Sequence, residues 1–87
     1  MEITTKSGFR CEIDPAVLDN MELVDALAEL QSGNTLAYPA VCRLVLGQET
    51  RARLYDHLRN DAGRVPPADV DRELTEIMEA LGNKGKN

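Results

Sequence analysis

NTLAYPAVCRLVLG, residues 34 to 47, is nearly all apolar and carries two residues with strong backbone preferences, Pro39 and Gly47. Proline suits the first turn of a helix, where its missing N–H would have no partner anyway. Glycine suits a helix end. The spacing predicts a helix over 38–46. A helix that is apolar on almost every side is a buried one. Val41, Cys42, Leu44, Val45 and Leu46 are therefore expected at the centre of the core, with the rest of the chain packed around them.

Upstream, Asp19 with Glu22 matches a capping pattern, and Met21, Leu23, Val24, Leu27 and Leu30 recur at helical spacing until Gly33, predicting a helix over 20–32. Before it, KSGFRCEIDPAV (6–17) offers a turn between alternating apolar residues. A Ser7-Gly8 loop would set the apolar residues of the two strands on opposite faces. A Lys6-Ser7-Gly8 loop instead opposes Thr5 to Phe9 and Ile3 to Cys11 and brings Met1 towards Ile13. One face is then apolar, and Glu2, Thr4, Arg10 and Glu12 point to solvent. Gly8 takes the left-handed position of a three-residue hairpin loop. Two strands alone are marginal in water, so this face is expected to lie on the helical core, with its edges open to pairing between subunits.

Downstream, QETRARLYDHLRND is polar with a narrow stripe of Ala52, Leu54, Tyr55 and Leu58, which predicts a surface helix over 48–60. DAGRVPPAD reads as a loop, and Pro66-Pro67 leads into a helix over 67–81 with Val70, Leu74, Ile77, Met78 and Leu81 on one stripe. The expected fold is mainly α with a short N-terminal β-hairpin (about 2–13) and four helices, about 20–32, 38–46, 48–60 and 67–81. Residues 1–81 form one small domain, and 82–87 are expected to be a disordered tail.

Composition narrows the function classes. The 87 residues suffice for one modest core. The longest apolar run is broken by Pro39 and Arg43 and falls short of the roughly 20 residues of a membrane span. With no leader pattern either, the chain is expected to be soluble, in the compartment where it is made. The net charge of −5 disfavours general affinity for nucleic acid or anionic membrane. Cys11 and Cys42 read as reduced, buried hydrophobes, and with one histidine no metal or cofactor site is expected.

No catalytic constellation emerges. Adjacent Asp56 and His57 diverge on a helix, and Asp69, Asp71, Glu73, Glu76 and Glu79 lack the spacing of a calcium loop. Asp69 and Asp71 are explained by the helix N-terminal dipole. Five arginines between 43 and 64, against three acids, make a locally basic surface, read first as ion-paired with acids of neighbouring helices. The segments 39–46 and 48–60, joined at Gly47, offer as the alternative a helix-turn-helix that reads DNA with Arg51, Arg53 and Arg59. Net acidity, an aromatic content of 3% and the near-absence of Asn, Ser or Lys on that second helix weigh against it. Contact with another protein fits better, since Tyr and Arg are favoured at interface centres. The candidate contact residues are Tyr38, Arg51, Tyr55 and Arg59.

Together, TKSGFRCEID, LAELQSGNTLAYPAVCRLVLG, LYDHLRNDAGRVP and VDRELTEIMEALG look like a group of short proteins from the tail gene modules of bacterial prophages. These resemble the tail assembly chaperones of long-tailed phages. The resemblance runs through residues 2 to about 82 and carries no diagnostic motif. It implies a small helical protein of the bacterial host cytoplasm, without enzyme activity or cofactor. Such a protein binds the tape measure protein or other tail components during assembly and self-associates.

Overall fold

The computed structural model describes residues 1 to 83, and for Asn83 the backbone alone. Strands β1 (Glu2–Thr4) and β2 (Arg10–Glu12) pair antiparallel with Ile3 opposite Cys11. Thr5 N–H donates to the Phe9 carbonyl and Gly8 N–H to the Thr5 carbonyl, each at 2.9 Å, and Gly8 has φ of 93°. This is the three-residue loop that the side-chain pattern requires. Ile3, Phe9, Cys11 and Ile13 are buried, and Glu2, Thr4, Arg10 and Glu12 are exposed. The hairpin face joins the same core as the helices, as a marginal strand pair must.

After a 3-10 turn at Pro15–Leu18, helix α1 spans Met21–Gln31. Its cap is Asn20, whose Oδ1 accepts from Glu22 N–H at 3.0 Å, and not the expected Asp19. Asp19 closes the preceding 3-10 turn, with its N–H donating to the Ala16 carbonyl. In urea unfolding Asn20→Ala should therefore cost about 1 kcal/mol, and Asp19→Ala less than about half of that. α1 ends at Gly33 in a Schellman arrangement: Gly33 N–H donates to the Leu30 carbonyl and Asn34 N–H to the Glu29 carbonyl.

Among the described residues there are three α-helices where the sequence pattern predicts four. The segments 38–46 and 48–60 form one element, α2 (Tyr38–Leu58), in which Gly47 alone leaves helical geometry, at φ 78° and ψ 169°. No loop separates the two arms because a single glycine carries the whole change of direction. Val41, Cys42, Val45 and Leu46 of the first arm and Leu54 of the second enter the core; Ala52, expected on the buried stripe, is exposed. Helix α3 (Pro67–Asn83) buries Val70, Leu74, Ile77 and Leu81. It takes in Gly82 and Asn83, so the tail expected from 82 begins as helix; residues 84–87 lie outside the described residues. Among the described residues no helix is long and apolar enough to cross a membrane.

Candidate functional site

The two arms of α2 and the first turn of α3 enclose an open, largely apolar cleft of about 710 Å³. Tyr38 and Pro39 line it from the start of α2 and Tyr55 from its second arm. Val65, Pro67, Ala68 and Val70 close the far wall, and Thr35 and Asp71 stand among the lining residues. In a straight helix, residues seventeen apart lie about 25 Å from each other. Tyr38 and Tyr55 share one cleft because the chain turns at Gly47.

The Tyr38 phenol is committed inside the fold, its O–H donating to Asp71 Oδ1 at 2.7 Å. Burial, then the hydrogen bond and charge of Asp71, push its pKa far above the ordinary value of 10.0. Burial raises the Tyr55 pKa as well. Tyr38 therefore offers the cleft mainly ring surface, and Tyr55 offers its ring and its hydroxyl. Burial also raises the Cys11 and Cys42 thiols, and both cysteines are free.

These shifts predict an alkaline weakness. A phenol that stays protonated in the fold while the unfolded chain ionises contributes its full stability below pH 10, and loses it as pH rises. Wild-type stability should fall between pH 9 and 11, the thiols acting in the same direction. Tyr38→Phe should lose about 1 kcal/mol at pH 8 but show a shallower alkaline decline. Denaturant unfolding across that range measures both.

Of the four residues proposed from the sequence, Tyr38 and Tyr55 meet in the cleft. Arg51 is half-buried behind them, near enough to Cys42 and Tyr55 to oppose the effect of burial on both. Arg59 serves the loop after α2, donating to the Gly63 carbonyl at 3.0 Å and to Asp56 Oδ1 at 3.1 Å. Arg53 is likewise held within the fold. It donates to the Arg10 carbonyl at 2.6 Å, with its guanidinium 5.3 Å from the Phe9 ring centroid. Arg53 of the second arm and Arg59 at its C-terminal cap are thus spent on the hairpin and the loop.

A second constellation, absent from the sequence reading, lies under the hairpin loop. Glu73 is fully buried, and its Oε1 accepts from Thr5 Oγ1 at 2.6 Å and from Ser7 Oγ at 2.9 Å. Ser7 Oγ is also 3.0 Å from His57 Nε2, and Lys6 N–H donates to Glu76 at 3.0 Å. With the Ser7 proton directed to Glu73, His57 is the donor to Ser7. Asp56, which would have to orient a catalytic histidine, faces Arg59 instead. Neither Ser7 nor His57 lines the cleft. The arrangement fastens the hairpin to α2 and α3. Its sequence signal is positional, because residue 73 falls three after Val70 and four before Ile77, on the buried stripe.

Among the described residues no group of three or more His, Cys, Asp or Glu side chains could hold a metal ion. Compared with protein-family models, curated proteins and solved structures, the chain matches none.

Proposed function

We propose that the chain is a non-enzymatic binding protein of the phage or prophage tail assembly chaperone kind, which engages the tape measure protein or another tail component during assembly. The observation that carries this reading is the open cleft walled by Tyr38, Tyr55, Val65 and Val70, apolar and facing solvent in a small acidic chain. Exposed apolar surface of this sort marks sites where another molecule docks. Leu36, 86% exposed, stands one residue from Thr35 at the cleft and adds to the apolar surface near it.

A tape measure chain is long, helical and prone to aggregate before it is enclosed. A partner that covers its apolar faces reversibly keeps it soluble, and net acidity helps the complex stay in solution. Self-association belongs to the same reading, as does residence in the cytoplasm of the bacterial host. The test is co-expression of the tagged 87-residue chain with the long helical protein encoded beside it. Retention of that protein in a pull-down is expected, and failure to retain it with a folded chain overturns the proposal.

A further inference from the structure

The cleft also bears on what kind of segment it takes, an inference that rests on the partner-binding reading above. Its walls are poor in hydrogen-bond donors. Pro39 and Pro67 have no N–H, and the Tyr38 hydroxyl is given to Asp71. The Thr35 and Tyr55 hydroxyls are the side-chain donors left in the lining. An extended or polyproline segment laid here would bury backbone carbonyls with little to satisfy them, and such segments are ordinarily held by donors from an aromatic groove. An α-helix brings its backbone already paired and needs from the groove only apolar contact.

Charge sets the flanks. The polar side chains in the lining are Thr35, the two tyrosines and Asp71, of which Asp71 alone carries a formal charge, and Asp71 is exposed. The chain as a whole carries −5. Basic residues beside the apolar stripe of an incoming helix would meet a favourable potential, whereas acidic ones would be repelled.

We infer that the occupant of this cleft is one amphipathic α-helix of a partner protein, its apolar stripe seated between Tyr38, Tyr55 and Val70 and flanked by lysine or arginine that faces Asp71. Recognition is then helix in groove, with rings and prolines as the apolar bed and Asp71 selecting the sign of the flank.

The experiment uses the full 87-residue chain and three synthetic peptides of about 18 residues, roughly five helical turns. One is a leucine- and methionine-striped helix flanked by lysines, the second the same helix flanked by glutamates, and the third a proline-rich extended peptide of equal apolar content. Calorimetry gives affinities, and circular dichroism follows helix content on mixing. The lysine-flanked helix should bind about tenfold more tightly than the glutamate-flanked one, a difference of about 1.4 kcal/mol, and gain helicity. Asp71→Asn should shrink that preference.

Ala68→Glu should abolish binding. Ala68 is exposed in the first turn of α3, where an added acid suits the helix dipole, so this variant blocks the cleft and keeps the fold. Equal or tighter binding of the proline-rich peptide, or a preference for glutamate flanks, overturns the inference and leaves partner binding in the cleft standing. If no peptide binds but the long helical partner is still retained, the inference falls and the proposed function survives. If neither binds, both fall.

Discussion

Replacing Gly47 with L-alanine should destabilise the protein by about 2–3 kcal/mol, although nothing lies within 4 Å of the added Cβ. Space is not what limits this position. At φ 78° and ψ 169° the backbone is in a region that essentially only glycine enters, so the cost is conformational. D-Alanine reverses the sign of the preference. These angles lie at the edge of its extended region, so the D-residue avoids most of that cost and should come within about 0.5 kcal/mol of glycine. Total chemical synthesis provides both variants, and urea unfolding compares them. An L-alanine variant as stable as wild type would show that Gly47 is not held at these angles. The consequence reaches the site, because a straightened α2 would separate Tyr38 from Tyr55 and open the cleft.

Glu73→Ala should cost about 3 kcal/mol or more, since it removes the buried acceptor shared by the Thr5 and Ser7 hydroxyls and opens a cavity beside Val70 and Ile77. Glu73→Gln should cost about half as much or less, because the amide oxygen still accepts from Thr5 and Ser7. Glu73 Oε2 is buried with no hydrogen-bond partner, its ion-pair contact being Arg72 Nε at 3.6 Å. Changing that atom to an amide nitrogen therefore breaks no hydrogen bond. The result to measure is the order of the two variants, together with amide exchange of residues 3 to 12, which should quicken in Glu73→Ala before α1 loosens. Equal losses in both would mean that the charge, and not the acceptor, holds the hairpin down.

Much of this fold is legible from side-chain pattern, and the places where it is not share a cause. The hairpin register follows from period-two alternation alone, since only the three-residue loop gathers Ile3, Phe9, Cys11 and Ile13 on one face. The buried first arm of α2 follows from its apolar content. Gly47 is correctly marked as a break, but a glycine that ends one helix and a glycine that bends one look alike until the neighbouring arms are packed. Asp19 and Asn20 are both good caps, and only the 3-10 turn at Pro15–Leu18, which uses up Asp19, leaves the cap to Asn20.

The site divides in the same way. Tyr38 and Tyr55 were singled out by residue type, yet their meeting depends on the turn at Gly47, which no local spacing reveals. Arg59 was chosen for its charge and turns out to hold the loop at Gly63, a use set by backbone carbonyls that a sequence does not display. Glu73 lay hidden among five acids of one helix, and its position on the apolar stripe was the signal that separates it from the rest.

Docking of a partner in the cleft can be read directly, because the protein carries its own reporters there. It has two tyrosines and no tryptophan, and both tyrosines line the cleft. Fluorine NMR of the chain labelled with 3-fluorotyrosine therefore observes the cleft without background, alone and after co-expression with the proposed helical partner. Both resonances should move and broaden on complex formation, and Ala68→Glu should prevent the change. A complex that forms with both tyrosine signals unmoved would contradict the account.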